Sequence, residues 1–218
     1  MSASHSSSIF QPRETDKCTW VSETEFFDID DELEEADVTI EDLRAGYDTI
    51  AKAFAEAHIP FAAIGGLAFT LLGARPDYLT HDVDFQIHTT PLKLFEKLRT
   101  MENVRLKTGL QADNFRIHCQ IVKDKWIGVD FLMTNNPVGS QAQKFEGYQV
   151  LQITPLLQSK LKSYFAREAE RDKSDILFLI EKHSDKINTG VLDGDQVEFF
   201  LNGLSGAVLE MSRKVLQV

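Results

Sequence analysis

The stretch Ile64-Gly65-Gly66-Leu67-Ala68, followed by Asp82-Val83-Asp84-Phe85, decides the fold of this chain. The run Phe61–Ile64 before it is short and apolar, which is typical of a buried strand. The glycine pair then leads into a helical run over residues 67–72. Glycines let a backbone approach a ligand closely, and the free N–H groups at a helix start favour phosphate. The pattern predicts a strand, a turn and a helix beside a phosphate, although a glycine pair alone also fits a plain tight turn.

The two aspartates that follow predict a metal site. Polar and apolar residues alternate from Asp82 to Ile87, so a strand would point Asp82 and Asp84 to the same face. Their Cα atoms would lie about 6.5 Å apart, and two carboxylates at that spacing repel each other unless a cation lies between them. Mg²⁺ is the usual ion, held by carboxylates and substrate phosphates, with Mn²⁺ as the alternative. Considered alone, the pair also fits a solvated strand face.

A third carboxylate strengthens the metal hypothesis. The strand-like run Lys125–Met133 places Asp130 among apolar neighbours. A buried aspartate is costly unless it is paired, protonated or bound to a metal. In two-metal phosphoryl transfer a third carboxylate completes the site and helps to deprotonate the attacking hydroxyl. The alternative is an aspartate at a strand end that accepts backbone N–H groups.

These motifs together resemble the nucleotidyltransferase superfamily with the DNA polymerase beta-like catalytic core. The family pattern is a glycine pair that opens a helix, an Asp-x-Asp on the next strand and a third acid on a later strand. The likeness is strongest to small Gly-Gly members related to abortive-infection toxins, and it spans roughly residues 40–183. It implies that Gly65 and Gly66 form the phosphate turn, and that Asp82, Asp84 and Asp130 are both the metal ligands and the catalytic acids.

The resemblance also implies further nucleotide-binding residues. Relatives carry an arginine and then a threonine before the paired acids, and Arg75 and Thr80 stand in those positions. Relatives also carry a lysine on a helix that follows a proline, which corresponds to Lys160 after Pro155. Arg75 fits a structural partner of one acid equally well, and Lys160 fits a solvated helix residue.

Composition bounds the class of protein. A chain of 218 residues with 43% hydrophobic content is ordinary for a single folded core with modest additions. No apolar run approaches the roughly 18–20 residues of a membrane span, and the first residues lack the order of a secretory signal. Cys18 and Cys119 form neither a disulfide framework nor a metal cluster. We therefore expect a cytoplasmic protein without a membrane partner.

The charge distribution limits nucleic-acid partners. The formal net charge is −11, whereas nucleic-acid binders usually carry a basic stripe. Much of the negative charge lies between Glu23 and Asp37, and one helical region is basic. We expect nucleic acid only as an RNA end that serves as acceptor. The basic region comprises Lys160, Lys162, Arg167, Arg171 and Lys173.

The order of predicted elements gives an α/β (α+β) fold, with a small mixed sheet, flanking helices and a helical C-terminal part. We predict a flexible acidic segment over 1–37, a nucleotidyltransferase-like core over 38–153 and a helical part over 154–218. Thr39 and Asp42 predict a capping box. Further predictions are a helix from Thr90-Pro91 to about Met101, strands at Val104–Lys107, Phe115–Ile121 and Trp126–Met133, and helices at 154–167, 171–183 and 196–216.

The functional hypothesis is metal-dependent transfer of a nucleoside monophosphate from a nucleoside triphosphate such as ATP to a hydroxyl. Small molecules, protein hydroxyls and RNA ends all remain open as acceptors, because no motif encodes the acceptor or the base. The alternative is a catalytically inactive nucleotide-binding or protein-interaction module of the same fold, with the acidic segment Asp28–Asp37 as one interaction surface.

Overall fold

The computed structural model describes residues 10–74, 80–109 and 115–217. Internal contacts divide the chain into two compact units, Met1–Val150 and Leu151–Val218. The first unit contains the glycine turn and the predicted acids, and the second contains Lys160.

The first unit is built on an eight-stranded mixed sheet, which agrees with the predicted fold class. Its central strands β3 and β6 run parallel, and antiparallel strands lie on either side of this pair. The strand order is β1-β4-β5-β6-β3-β2-β8-β7. The bounds are β1 Thr19–Val21, β2 Phe61–Ile64, β3 Asp82–Ile87, β4 Val104–Lys107, β5 Phe115–Val122, β6 Lys125–Met133, β7 Ala142–Phe145 and β8 Tyr148–Leu151.

Two helices of the first unit, α2 and α4, begin where the sequence signals predict, whereas α3 begins at Gly65, two residues before the predicted helical run. The Thr39 and Asp42 capping box is present before α2, as predicted, and the hydroxyl of Thr90 caps α4. α4 stops at Leu98, and a tightened turn carries the chain on to Met101. The bounds are α1 Glu23–Glu35, α2 Ile40–Glu56, α3 Gly65–Leu71, α4 Pro91–Leu98 and α5 Val138–Gln141.

An aromatic core fixes which face of β3 is buried. Phe85 stacks on Phe131 of β6 with ring centres 6.1 Å apart, and it packs against Phe54 of α2 at 5.9 Å. Burial alternates along β3, so that Val83, Phe85 and Ile87 are buried. The two aspartates between these residues must therefore point to the opposite face.

Part of the segment predicted to be flexible carries regular structure. Residues 10–37 contain β1, which pairs in parallel with β4, and helix α1. Ser22 caps α1, and Phe26 on this helix is only 2% exposed. Phe27 beside it is half exposed. α1 is therefore amphipathic, with Phe26 on its buried face.

The second unit is helical. The helix predicted over 196–216 is wrong as a single element, because the chain forms α8 and α9 with a break at residues 203–205. Gly203 is a poor helix former, and Gly206 takes a φ of +59°, which a continuous right-handed helix does not allow. The bounds are α6 Ile153–Arg167, α7 Glu170–His183, α8 Gly194–Asn202 and α9 Gly206–Leu216, with short 3-10 helices at Ser184–Lys186 and Thr189–Val191.

Over the described ranges, we find no helix with the length and apolar character needed to cross a membrane.

Candidate active site

Three carboxylates meet on the face of the sheet opposite the aromatic core. Strands β3 and β6 are parallel, and Asp84 lies directly beside Asp130. Asp82 is two residues earlier on β3 and therefore points to the same face. One carboxylate oxygen from each of the three residues lies within 4.8 Å of the others. The Asp82 and Asp130 side chains are 30% and 34% exposed, so a ligand can reach them. We call Asp82, Asp84 and Asp130 the acid cluster.

The glycine turn lies against this cluster. Antiparallel pairing of β2 with β3 sets Ile64 opposite Asp84, so the chain enters the turn beside the carboxylate. Gly65 has a φ of +59°, and a Cβ atom there would lie 1.8 Å from the Asp84 carboxylate oxygen Oδ2. Both its conformation and the close approach of Asp84 require glycine at this position.

Gly66 and Thr80 orient the first acid. A Cβ atom on Gly66 would lie 2.4 Å from the Cβ atom of Thr80, so the absence of a side chain lets Thr80 pack on the turn. Thr80 is 3% exposed, and its hydroxyl donates a 2.6 Å hydrogen bond to Oδ1 of Asp82. Thr80 therefore contacts a predicted metal ligand. Arg75, the other predicted residue of this segment, lies outside the described residues.

The cluster has a cationic neighbour, Arg116 of β5. Arg116 lies opposite Asp130 in the antiparallel β5–β6 pair. Its Nη1 donates to Oδ2 of Asp130 and lies 3.5 Å from Oδ2 of Asp82. A Cβ atom on Gly128 would lie 2.7 Å from Nη2, so this glycine makes room for the guanidinium.

Electrostatics distinguish Asp130 from an ordinary surface aspartate. Burial raises the pKa of Asp130, and the nearby charge of Asp82 raises it further. Arg116 opposes both effects, yet the net pKa is above the usual value. The negative charge on Asp130 is thus disfavoured, which is the condition under which a carboxylate gains most from an added cation.

Helix α1 reaches the site through Asp30. The Nε of Arg116 donates to both carboxylate oxygens of Asp30, at 2.9 and 3.0 Å. His118 Nε2 donates to Asp30 Oδ1 at 2.9 Å, and the buried imidazole stacks on Phe26 with ring centres 4.0 Å apart. Burial raises the pKa of Asp30, but the hydrogen bonds from His118 and Arg116 outweigh it and hold the pKa below its usual range.

The alternation along β5 places Arg116 and His118 on one strand face, but no sequence pattern points to Asp30. Asp30 is one of many acids between Glu23 and Asp37, and nothing in the sequence sets it apart. The helical position of Phe26, four residues earlier and therefore on the same face of α1, is a usable signal. A buried aromatic residue predicts that Asp30 also faces the sheet.

Lys160 has buried partners in the second unit. Its Nζ lies 2.9 Å from Asp172 and 2.8 Å from Asp175, and the residue is 7% exposed. Asp172 also accepts hydrogen bonds from Arg167. The contact between Lys160 and a triphosphate stays a prediction.

The donor atoms of the acid cluster suit a hard divalent cation. Carboxylate oxygens are the ligands that Mg²⁺ and Mn²⁺ prefer. One carboxylate oxygen from each of the three acids lies within 4.8 Å of the other two. The cluster could therefore bind a divalent metal.

This chain is similar to known proteins in its fold but not in its sequence. No profile of a known protein family and no curated protein matches the sequence. Among solved structures, an antigenic nucleotidyltransferase-like protein from Paracoccidioides brasiliensis aligns with a TM-score of 0.62 at 16% identity, covering 84% of this chain and 95% of that one. JHP933 from Helicobacter pylori aligns with a TM-score of 0.50 at 16% identity, covering 83% of this chain and 91% of that one.

The chain therefore has a nucleotidyltransferase-like α/β fold, and the predicted superfamily resemblance is confirmed at the level of the fold. At 16% identity, the structural similarity assigns no role to any individual residue. Any role for the acid cluster must come from its geometry.

Proposed function

We propose that this chain is a metal-dependent nucleotidyltransferase, which moves a nucleoside monophosphate from a nucleoside triphosphate to an acceptor hydroxyl. The observation that carries the proposal is the acid cluster, with three carboxylates within 4.8 Å of one another beside the turn at Gly65 and Gly66. A small molecule, a protein hydroxyl or an RNA end would each suit this chemistry as acceptor.

The acids would hold Mg²⁺ or Mn²⁺, which when bound supplies charge neutralisation at the phosphates and lowers the pKa of the acceptor hydroxyl. Thr80 keeps Asp82 in one orientation through its 2.6 Å hydrogen bond. The main chain at Gly65 and Gly66 would donate to the triphosphate, because the first N–H groups of a helix have no acceptor within the helix. We assign nucleotide contacts to Arg75, Thr80 and Lys160 on the family resemblance.

The reaction forms a bond between the acceptor oxygen and the α-phosphorus and breaks the bond to the bridging oxygen of the β-phosphate. Pyrophosphate leaves with the electron pair of the broken bond. The hydroxyl proton would pass to Asp130, because burial raises the pKa of this carboxyl above its usual value and makes it a better proton acceptor than an ordinary aspartate. The protein otherwise contributes positioning and charge stabilisation.

One observation favours a second candidate, a nucleotide-binding or protein-interaction module without catalysis. Arg116 is bonded to Asp130 and thereby gives that carboxylate a partner within the protein. A site whose third acid is neutralised by arginine needs no metal there. The two candidates differ in whether nucleotide binding depends on a divalent cation.

Calorimetric titration of each of the four nucleoside triphosphates, with and without Mg²⁺, tests the proposal. We expect binding by the native protein only with Mg²⁺ and no binding by Asp82→Asn or Asp84→Asn. Turnover, once an acceptor is found, should fall about 1,000-fold in these variants, since a metal site supplies several kcal/mol of charge stabilisation. Asp48→Asn is the control, because it removes one exposed carboxylate from α2.

Metal-independent binding that survives both substitutions would support the non-catalytic nucleotide module instead. If the native protein binds no triphosphate with Mg²⁺ present, the proposed enzyme is wrong and a protein-interaction role gains weight.

A further inference from the structure

The guanidinium of Arg116 contacts one acid of the cluster and lies close to another. Its Nη1 donates to Oδ2 of Asp130, and the same nitrogen is 3.5 Å from Oδ2 of Asp82. A divalent cation bridging these two oxygens would have to share the space with the guanidinium. The guanidinium keeps its charge at any relevant pH, so a cation next to it is repelled.

The guanidinium is anchored from both sides. Nε donates to both oxygens of Asp30 on α1, while Nη1 faces the acid cluster. Both Arg116 and Asp30 are largely buried, with side chains 23% and 14% exposed. Arginine suits this place because its planar fork can serve two carboxylates at once.

Two features of the fold support this anchor. Asp30 also accepts one hydrogen bond from His118, which is completely buried. Gly128 on β6 leaves the space that the guanidinium crosses, since a Cβ atom there would lie 2.7 Å from Nη2. Moving Arg116 off Asp130 would therefore mean breaking its paired hydrogen bonds to Asp30.

We propose that Arg116, held by Asp30, is a positioning residue that occupies the second cation position and restricts the acid cluster to a single divalent cation. This inference rests on the proposed function, because it assumes that the cluster binds a divalent metal. It specifies how many divalent cations the acid cluster binds, and it assigns to α1 the role of holding Arg116 through Asp30.

Counting bound Mn²⁺ tests the proposal without any assay of turnover. Free Mn²⁺ is followed by electron paramagnetic resonance while the full chain is titrated with the metal alone. We expect about one Mn²⁺ per native chain and about two per Arg116→Gln chain, because the substitution frees Oδ2 of Asp130. Asp30→Asn keeps Arg116 but weakens its anchor, so a second Mn²⁺ should bind there more weakly than in Arg116→Gln.

The matched control is Arg105→Gln, which removes an arginine from the neighbouring strand β4. The Arg105 guanidinium stacks on Trp126 at 3.8 Å and serves to show the effect of net charge alone. Its Mn²⁺ count should equal that of the native chain. Circular dichroism melting curves confirm which variants are folded, and Asp30→Asn keeps the test open if Arg116→Gln does not fold.

The outcomes separate this inference from the proposed function. About two Mn²⁺ on the native chain, or an unchanged count in both Arg116→Gln and Asp30→Asn, would overturn the role of Arg116 and leave the metal site standing. Absence of Mn²⁺ binding by the native chain would overturn both. An equal gain in Arg105→Gln would also refute it, since net charge would then explain the effect.

Discussion

The chain contains two groups of carboxylates that differ in how their charge is balanced. In the first unit, two members of the acid cluster, Asp82 and Asp130, lie beside one guanidinium, that of Arg116. In the second unit, Asp172 and Asp175 face two cations, Lys160 and Arg167.

The two groups also differ in exposure. Asp172 and Asp175 are buried, with 0% and 1% of their surface exposed, whereas Asp82 and Asp130 keep about a third of their side-chain surface open. A buried, balanced group serves the fold, because each charge would be costly without its partner. An exposed group in which burial and a like charge disfavour a carboxylate, as they do Asp130, gains from an added cation. A metal site is therefore indicated by carboxylates that ligands can reach and whose charge the protein does not fully neutralise, rather than by the number of acids.

The largest expected effect comes from making the same substitution in both groups. Asp172→Asn should lower the free energy of unfolding by about 3–5 kcal/mol, because Lys160 and Arg167 lose a buried partner. Asp84→Asn should lower it by less than about 1 kcal/mol, because Asp84 is only half buried. Urea unfolding of the full chain measures both values.

The control for this pair is Lys162→Gln, which alters an exposed lysine on the same helix as Lys160. It should stay within about 0.5 kcal/mol of the native value. Equal losses of stability in Asp172→Asn and Asp84→Asn would refute the distinction between the two groups.

Local pattern predicted the elements that build the acid cluster. The alternation at Asp82–Ile87, the glycine turn and the strand around Asp130 all follow from short-range spacing, and pairing of β3 with β6 brings the three acids together. The alternation along β3 also predicts that the acids lie on the face of the sheet opposite Val83 and Phe85, because these apolar residues must be buried.

Contacts between residues far apart in the chain could not be predicted from the sequence. Asp30 and Arg116 are 86 residues apart, and no periodic pattern links a helix near the N-terminus to a central strand. The partners of Lys160 are closer in sequence, yet a basic helix gives no sign of which lysine turns inward. Gly203 and Gly206 could have indicated the break between α8 and α9, but the apolar periodicity of 196–216 favoured a single helix.

A smaller effect should come from two glycines with the same backbone conformation. Gly65 and Gly206 both have a φ of +59° and begin helices, but a Cβ atom on Gly65 meets Asp84 at 1.8 Å, while nothing lies within 4 Å of one on Gly206. Gly206→Ala should cost only the backbone strain of about 1–2 kcal/mol. Gly65→Ala should cost about 1–3 kcal/mol more, because the Asp84 carboxylate must move.

Urea unfolding measures this difference, and Mg²⁺-dependent triphosphate binding gives a second readout. Binding should be lost in Gly65→Ala and kept in Gly206→Ala. Equal stability losses with intact binding in both variants would show that the close contact between Gly65 and Asp84 does not matter.

The smallest effect concerns pH and the balanced group of the second unit. Burial raises the pKa of Asp172, but hydrogen bonds from Arg167 and Lys160 outweigh it and hold the pKa below the usual 3.8. A lowered pKa in the folded state means that the unfolded chain takes up the proton first. The stabilisation by Asp172 is therefore fully present above its unfolded pKa and is lost as pH falls through the folded one.

The groups that face Asp172 within this cluster are Lys160, Arg167 and, through Lys160, Asp175. We expect the difference in unfolding free energy between the native chain and Asp172→Asn to stay constant from neutral pH down to about pH 5 and to narrow below about pH 4. The effect is small because only part of the carboxylate is protonated in the range where the chain can be studied. Urea unfolding series of both chains from pH 7 to about pH 3 measure it, and a gap that widens on acidification would reverse the assigned sign.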